Sequence, residues 1–272
     1  MTVLPTPSAF RSASSARFQH AALGDASEAL DAYEADEELV RILHALGYPA
    51  REVARATRAF RLRAVTHTAQ HLGIAQVLEI GPGLPPRSTP ASHHLVQRHH
   101  HRRARTLYVD HDPLVVTHLS TAHESEETGG TVRTILGDLR NPHHILTEAA
   151  THLDLNQPVA LVATAVLDTL YDHEHPHAHL RHLLDALPPG SALIATHLTH
   201  EHNQEAVHRA TRTLQIAGLP TQPRTFEDIA AFYTNLTPTG PGLVPASQWH
   251  PTHTDNHTPT NDHTYAAIGL HT

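Results

Sequence analysis

The sequence contains no cysteine, and this absence excludes three kinds of site. Without thiols the chain can form no disulfide, can hold no thiolate-bound metal and can use no cysteine nucleophile. Aromatic residues are also scarce, at 4% of the 272 residues. A protein that binds single-stranded nucleic acid uses aromatic side chains on which the bases stack. The composition therefore argues against nucleic acid as a partner.

Long hydrophobic runs are absent as well. No stretch approaches the roughly 20 apolar residues that a membrane-spanning helix needs, and residues 1–22 lack the apolar core of a secretory signal peptide. Basic residues are outnumbered, because 19 Lys and Arg face 27 Asp and Glu, for a net charge of −8 with histidine neutral. A general electrostatic attraction to nucleic acid is thus not expected. We predict a cytoplasmic protein without a membrane partner.

Histidine is the residue in excess, with 29 copies. Because the unperturbed pKa of imidazole lies near neutral pH, these residues can offset the negative charge if they titrate together. Residues 99–101 and 174–179 carry clustered histidines, and neutral imidazole binds zinc, copper and nickel. Neither cluster has the spacing of histidine and carboxylate ligands in a catalytic metal site. No metal is therefore expected as a cofactor.

The most informative segment is Val-Leu-Glu-Ile-Gly-Pro-Gly at residues 77–83. An apolar run that ends in a Gly-x-Gly turn is typical of a buried parallel strand whose backbone then passes close to a bound nucleoside. The third glycine of a dinucleotide-binding motif would fall at residue 86, which is proline. Glu79 would also repel a pyrophosphate, whereas it would attract the ammonium of a zwitterionic ligand. The segment therefore favours a nucleoside with an amino-acid tail over NAD.

A second acidic residue follows the next predicted strand. Residues 106–110, Thr-Leu-Tyr-Val-Asp, form a short β-type run that ends in an acid. In a βαβ unit this is the position of the carboxylate that accepts hydrogen bonds from the ribose hydroxyls. Asp110 is predicted to have this role. The alternative is that Asp110 caps the helix that would begin at Pro113, a role for which Asp112 competes.

Further apolar runs have strand character, and the segments between them are compatible with helices. Nearly continuous apolar runs that alternate with amphipathic segments are typical of a parallel sheet covered on both faces. The predicted fold class is therefore α/β, with a doubly wound, mostly parallel sheet. The glycine turn and both acids then lie at the carboxyl edge, where open α/β sheets bind ligands. The further predicted strands are residues 132–136, 158–163, 191–196 and 265–270.

The chain is predicted to divide into three parts. Residues 1–25, rich in Ser and Ala, are expected to be loosely ordered. Residues 26–73 form an N-terminal helical extension that can close over a ligand as a lid, and residues 74–272 form the α/β domain. The predicted helices are residues 26–48, 50–72, 203–217 and 225–233, while residues 237–242 are predicted as a turn-rich connection and residues 250–264 as a loop.

Several segments between residues 51 and 249 match a family pattern in order. They are Ala-Phe at 59–60 with Arg-Ala-Val at 63–65, Glu-Ile-Gly-Pro-Gly-Leu-Pro at 79–85, Tyr-Val-Asp-His-Asp-Pro at 108–113, Gly-Asp-Leu-Arg-Asn-Pro at 137–142, Leu-Asp-Leu-Asn-Gln-Pro-Val-Ala at 153–160 and Gly-Leu-Val-Pro-Ala-Ser-Gln-Trp at 242–249. The chain thereby resembles the S-adenosyl methyltransferases of filamentous soil bacteria, long described only as a domain of unknown function. The resemblance implies a seven-stranded sheet with an antiparallel last strand, and S-adenosylmethionine as the cofactor.

By this resemblance, the cofactor lies on the loops that follow the strands. Asp138 is similar to the acid that reaches the adenine amino group, with Leu139 packed on the ring; its alternative role is the cap of a helix that starts near Pro142. Thr164 and Ala165 would lie beside the transferred methyl group. The predicted cofactor-binding residues are Arg58, Glu79, Gly81, Pro82, Gly83, Asp110, His111, Asp138, Leu139 and Thr164.

Methyl transfer asks for little acid–base chemistry from a protein. The methyl group on a sulfonium is already activated, so the enzyme mainly aligns the reactants, and it supplies a base only when the acceptor must lose a proton. Acids and histidines at or after the predicted strand ends are candidates for such a base. They are Asp168, Asp172, His173, His197 and His200, of which Asp168, His197 and His200 are kept as catalytic candidates.

The predicted function is that of an S-adenosylmethionine-dependent methyltransferase acting on a small molecule, with secondary metabolism as the expected setting. The alternative is a methyltransferase fold used for non-methyl chemistry, such as a cyclisation, or for cofactor binding without catalysis. Departures from the family pattern support this alternative, because Pro82 stands where the family usually has Thr and Asp168 where it often has His. The sequence does not determine the oligomeric state, and a homo-oligomer is one of the alternatives.

Overall fold

The computed structural model of the chain describes residues 14–24, 34–84, 89–124, 129–250 and 263–272. The strands in these residues are β1 (Gln76–Ile80), β2 (Arg105–Asp110), β3 (Thr131–Leu136), β4 (Val159–Ala163), β5 (Ala192–Leu198), β6 (Thr237–Pro245) and β7 (Thr264–Leu270). They form one seven-stranded sheet in the order β3-β2-β1-β4-β5-β7-β6. All neighbours are parallel except that β7 runs antiparallel to β5 and β6. The predicted fold class is confirmed.

Helices cover both faces of the sheet. Alternate residues of the strands belong to two buried apolar clusters, so that Leu78 packs with Ile145 and Leu183 on one face while Val77 packs with Phe60 on the other. No helix in the described part of the chain is long and apolar enough to cross a membrane. The helices are α1 (Ser15–Leu23), α2 (Glu34–Ala45), α3 (Ala50–His71), α4 (Ser92–His100), α5 (Pro113–Glu124), α6 (Pro142–His152), α7 (Pro176–Asp185), α8 (Gln204–Ile216) and α9 (Phe226–Ala230).

The strand order reverses between β1 and β4, because the chain passes from β1 to β2 on one side and later returns to β4 on the other. In open α/β sheets such a reversal leaves a crevice at the carboxyl ends of the strands. Backbone hydrogen bonds join the loops at this edge. Gly81 N donates to Val109 O at 2.8 Å, and Gly137 N donates to Asp110 O at 2.9 Å. The fold therefore brings the ends of β1, β2 and β3 together beside that of β4.

The N-terminal region differs from the prediction. Residues 15–23, which were expected to be loosely ordered, form helix α1, whose first turn is capped by Ser14 and whose end is followed by Gly24 with a φ of 51°. The helix is stable because Phe18 packs with α2 and α3 in an apolar cluster and because Arg17 forms a buried ion pair of 3.0 Å with Asp36. Residues 1–13 and 25–33 lie outside the described residues, and the predicted domain limits stay predictions.

Residues 237–242, predicted as a turn-rich connection, belong instead to the edge strand β6. The strand pairs with β7 and its register shifts between Thr239 and Val244, where Gly240 and Gly242 have positive φ angles. Proline and glycine are tolerated here because an edge strand leaves one side unpaired and can carry a bulge. Composition alone therefore gave the wrong structure for this segment. Most of the loop predicted at residues 250–264 lies outside the described residues.

Several histidines lie in the protein interior or against it. Burial lowers the pKa of each of them below the ordinary value, and the pKa of His197 falls to about 3. In the neutral form they pack against aromatic and apolar side chains, as His177 does with a ring distance of 3.7 Å from Phe232. The histidines with a lowered pKa are His67, His152, His177, His197 and His263.

Candidate functional site

A cleft of about 480 Å³ opens at the carboxyl edge of the sheet. We call it the main cleft. Its floor is the loops after β1, β2, β3 and β4, and its walls come from α1, α3 and the loop that follows α8. The predicted residues that line it are Arg58, Gly81, Pro82, Gly83, Asp110, His111, Asp138, Leu139 and Thr164.

The Gly-Pro-Gly turn after β1 needs both of its glycines, for different reasons. Gly81 has a φ of +63°, and a Cβ there would lie 2.5 Å from Cγ2 of Val166. Gly83 has a φ of +70°, but a Cβ would meet no atom within 4 Å. Side chains are therefore excluded at Gly81 by packing as well as by backbone strain, and at Gly83 by strain alone. Because neither glycine carries a side chain, the turn leaves open space in the main cleft next to its backbone.

Asp110 ends β2 as a buried carboxylate. Its Oδ2 accepts from Gly83 N at 3.4 Å and its Oδ1 from Asp112 N at 2.9 Å, while burial raises its pKa above the ordinary value. Asp112 Oδ1 accepts from Leu114 N at 2.9 Å at the start of α5. The capping role thus belongs to Asp112. Asp110 is left to line the main cleft, with His111 Nδ1 at 3.6 Å from its Oδ1.

Asp138 does not cap the next helix either, because Asn141 accepts from His144 N there. Instead, Asp138 forms an ion pair with Arg140, with 2.9 Å between Oδ2 and Nη1. Arg140 also donates through Nε to Glu174 at 2.7 Å. Asp138 and Arg140 both line the main cleft. A ligand at this end of the cleft would therefore meet a carboxylate and a guanidinium that are already paired.

The structure corrects the direct cofactor contact predicted for Glu79. Its side chain is buried and is not among the residues that line the cleft. Glu79 Oε1 accepts from Arg61 Nη1 at 3.0 Å, while its Oε2 is buried without a hydrogen-bond partner among the described residues. Arg61, which lines the cleft from α3, was not predicted. Glu79 pairs with this arginine, because a buried carboxylate needs a paired charge.

The turn after β4 carries backbone strain. Ala165 has a φ of 54°, a region that residues with a Cβ rarely occupy. Its N–H donates to Thr196 Oγ1 at 2.9 Å, which holds the turn against the end of β5. Strained residues of this kind cluster at functional sites. Thr164 and Ala165 therefore present a fixed backbone surface to the main cleft, and their place beside the transferred methyl group stays a prediction.

The structure corrects the catalytic assignment of His197. Its Nδ1 lies 2.8 Å from Leu198 O and must donate, because a carbonyl only accepts; its Nε2 lies 2.6 Å from Arg224 Nη1 and accepts. Burial and the nearby Arg224 lower its pKa to about 3. Both ring nitrogens are thus occupied, and the residue does not line the cleft. His197 supports Arg224 and is not available as a base.

His200, the second histidine candidate, also lies away from the cleft. Its ring contacts His208 on α8 at a centroid distance of 5.9 Å, and it is not among the cleft-lining residues. Asp172 is engaged by Arg224, with 2.7 Å between Oδ1 and Nη2. His173 stacks on Tyr171 at 5.4 Å. None of these residues is placed to take a proton from a ligand in the main cleft.

Asp168 is the catalytic candidate that the structure places beside the cleft. It lines a second cavity of about 70 Å³, which we call the side cavity. Its Oδ1 is buried and has no hydrogen-bond partner in the described part of the chain. Burial raises its pKa from the ordinary 3.8 to about 6. A carboxylate in this range can accept a proton near neutral pH.

Several cleft residues were not predicted from the sequence. Arg61 carried no motif signal, because it is recognised only by the carboxylate that it meets from a neighbouring element. Arg140 lies within the family segment at 137–142, but its ion pair with Asp138 is seen only in the structure. Ser15 and Gln19 line the cleft from α1, a segment whose composition had suggested little order. The signal that could have found α1 is the pair of capping residues, Ser14 before the helix and Gly24 after it. In the residues described, no three His, Asp or Glu side chains come together as metal ligands.

Comparison with known proteins identifies the family. The S-adenosyl methyltransferase family matches residues 9–272. A DUF574 family protein from Streptomyces avermitilis MA-4680 has a similar structure, with a TM-score of 0.88 and 30% identity over 96% of this chain and 98% of that one. A putative methyltransferase from Thermobifida fusca YX gives a TM-score of 0.84 and 28% identity over 98% of each chain. No curated protein matches.

The match over nearly the whole chain agrees with the glycine turn, the paired strand-end acids and the sheet order. S-adenosylmethionine is the cofactor of this family. The chain belongs to the S-adenosyl methyltransferase family and is an S-adenosylmethionine-dependent methyltransferase.

Proposed function

We propose that this methyltransferase acts on a small-molecule acceptor that reaches the cofactor through the main cleft. The observation that carries the proposal is the convergence of the Gly81 turn, the Asp110 carboxylate and the strained Ala165 turn on one concave site. The volume of about 480 Å³ lies within the range of roughly 300–1,000 Å³ that is usual for cofactor and small-ligand sites. A cleft of this size suits a small acceptor. The setting in secondary metabolism stays a prediction from the family resemblance.

The residues of the main cleft fit the chemical groups of S-adenosylmethionine. Gly81 and Gly83 leave open backbone for the amino-acid part, and Arg61 supplies a positive charge for its carboxylate. Asp110 supplies a carboxylate for hydroxyl donors of the ribose. Asp138 and the buried Leu139 line the cleft and are proposed to bind the base. The predicted cofactor-binding roles are kept on this basis, with Glu79 acting through Arg61.

When it is bound, S-adenosylmethionine supplies an activated methyl group, so the protein mainly has to position the acceptor. The Ala165 turn fixes the wall between the main cleft and the side cavity, because Thr196 holds its N–H. Helix α1 lines the cleft on one side and reduces the access of water to it. Asp168 can receive a proton from an acceptor O–H or N–H group, since its pKa of about 6 lies near neutral pH.

The proposal is tested by calorimetric titration of the protein with S-adenosylhomocysteine and S-adenosylmethionine. We expect wild-type protein to bind both. Asp110→Asn should bind S-adenosylhomocysteine at least about tenfold more weakly, because one carboxylate oxygen that can accept from ribose becomes a donor. Asp110 is a better target than Gly81, where any Cβ collides with Val166 at 2.5 Å and disturbs the fold.

Asp185→Asn is the matched control. It removes the same charge from an exposed position on α7, away from the main cleft, and its affinity should equal that of wild type. Failure of folded wild-type protein to bind either compound would sink the proposal and favour the alternative of a fold used for other chemistry. Once binding is established, release of S-adenosylhomocysteine in a screen of small-molecule acceptors identifies the substrate.

A further inference from the structure

The side cavity adjoins the main cleft. The two share lining residues from several elements, among them Thr57 of α3, Ala165 of the turn after β4 and Pro220 of the loop after α8. The side cavity therefore lies on the far side of the same strained turn that borders the site of methyl transfer. A group held in it is adjacent to the main cleft and does not occupy the space of the cofactor.

One residue gives the side cavity its charge. Among the described residues that line it, only Asp168 has a side chain that is charged at neutral pH; the rest are apolar side chains, hydroxyls and one amide. The buried Oδ1 of Asp168 has no hydrogen-bond partner among them. A buried carboxylate oxygen without a partner is costly, and a folded protein normally pairs it. The missing partner must come from a donor or a cation that enters the cavity.

The neighbouring ionisable groups do not supply this partner. Arg224 is the nearby cation, but its five N–H groups donate elsewhere: two to Asp172 Oδ1, two to the carbonyls of Leu167 and Leu170, and one to His197. Tyr48 also faces the carboxylate. Burial and the charge of Asp168 raise the pKa of this phenol, so it stays neutral. Asp168 therefore keeps a negative charge above its own pKa that the nearby charge of Arg224 offsets only in part.

We propose that the side cavity is the acceptor subsite and that Asp168 binds a protonated amino group there, so that the acceptor is a small amine. The ammonium gives one proton to the Asp168 carboxylate before its nitrogen can accept a methyl group. The inference rests on the proposed function and names its substrate class. A cation fits better than a neutral hydroxyl because it both fills the free acceptor position of Oδ1 and balances the only charge on the cavity wall. The volume of about 70 Å³ is small beside the 480 Å³ of the main cleft, and it favours an amino group with a short chain.

The test compares two probes of equal size, ethanolammonium chloride and 1,2-ethanediol, which differ in charge at one end. Protein with ¹³C-labelled Leu and Val methyl groups is titrated with each probe in the presence of S-adenosylhomocysteine. We expect ethanolammonium to shift the methyl signals of the side cavity and to bind about tenfold more tightly than the diol. The reporter residues of the side cavity are Val53, Leu198 and Leu214.

If the inference holds, two changes remove the preference of the side cavity for ethanolammonium over the diol. Asp168→Asn keeps the shape of the residue and should make the affinities of the two probes equal. Lowering the pH from 7 to 5 should weaken ethanolammonium binding to wild type roughly tenfold, because a carboxyl with a pKa near 6 becomes protonated, and should leave the diol unchanged. A purely structural Asp168 would not produce this pH profile. The methyl spectrum of the variant also shows whether it is folded.

The inference is overturned if the two probes bind equally to wild type, if Asp168→Asn keeps the preference, or if the shifted methyl groups lie outside the side cavity. These results leave S-adenosylhomocysteine binding intact, so they separate failure of the inference from failure of the proposed function. Ethanolammonium binding by a protein that binds no S-adenosylhomocysteine would overturn the acceptor assignment, since no methyl donor would then be present beside it.

Discussion

His197 and Asp168 are both ionisable residues at the carboxyl ends of central strands, and the sequence predicts a catalytic role for each. Their surroundings differ in one respect. Both ring nitrogens of His197 have partners, whereas Oδ1 of Asp168 has none among the described residues. The pKa of His197 falls to about 3 and that of Asp168 rises to about 6, in each case mainly through burial.

The difference shows which buried polar residue points to function. Burial and a perturbed pKa are common to both, so neither property distinguishes them. The two residues are distinguished by their hydrogen bonds. A group such as His197, whose hydrogen bonds are all made, stabilises the fold, while an unsatisfied group beside a cavity is a place for a ligand. Three changes test this distinction.

The largest effect is expected for Arg224→Met, which dismantles the network around His197. The change leaves His197 Nε2 and the carbonyls of Leu167 and Leu170 without their donor. Each buried group that loses its partner costs about 1–3 kcal/mol, so the free energy of unfolding should fall by about 3–5 kcal/mol. Urea denaturation measures it.

Arg133→Met is the control for this change. Arg133 pairs with Glu148 at 2.8 Å on the surface, and its side chain is 43% exposed. Removal of an exposed ion pair should change the free energy of unfolding by less than about 1 kcal/mol. Equal effects of the two substitutions would contradict the view that the Arg224 network holds this part of the fold.

A smaller effect of opposite sign is expected for Asp168→Asn. The pKa of Asp168 is higher in the folded chain, at about 6, than its ordinary value of 3.8, so the ionised carboxylate destabilises the fold. The favourable contribution of the protonated acid is present below pH 3.8 and is lost as the pH rises through about 6. At pH 7.5 the variant should therefore be about 2 kcal/mol more stable than wild type.

The gain should shrink as the pH is lowered towards 4.5, where the folded wild type binds the proton. Urea titrations of wild type and variant across this range measure the difference. Asp185→Asn, which changes an exposed carboxylate, should stay within about 0.5 kcal/mol of wild type throughout. A variant that is less stable than wild type at pH 7.5 would mean that a partner inside the protein stabilises the charge of Asp168.

The smallest effect is expected for His197→Leu. The substitution removes one acceptor of Arg224, whose other four N–H groups keep theirs, so a loss of about 1 kcal/mol in unfolding free energy follows. The dissociation constant of S-adenosylhomocysteine should stay within about twofold of wild type, because His197 does not line the main cleft. Calorimetry checks this value. A loss of binding without a loss of stability would restore His197 to the site.

Much of the fold could be predicted from the sequence. The apolar runs that end at Ile80, Asp110 and Ala163 are buried strands, and such runs carry a strong pattern. The edge strand β6 was missed because its prolines and glycines read as a turn, and only its pairing with β7 makes it a strand. Local composition fails where tertiary contacts decide the structure.

The residues of the candidate site also differ in whether the sequence predicts them. Gly81 and Asp110 could be found because each stands at a fixed place in a local motif, whereas Arg61 meets Glu79 from a helix 18 residues away in the chain. The sequence also could not separate Asp168 from His197. That separation depends on Arg224, a residue of the loop after α8 that has no motif of its own.

Five histidines make the stability of the fold sensitive to acid. The pKa of each is lowered when the chain is folded, so the unfolded chain binds protons at pH values where the folded chain does not. These residues are His67, His152, His177, His197 and His263. The stability that neutral imidazoles provide is present above about pH 6.5 and is lost as the pH falls, most for the buried His197 and His263 and least for the exposed His177. Acidification below about pH 6.5 therefore acts on these positions together and lowers the stability of the fold.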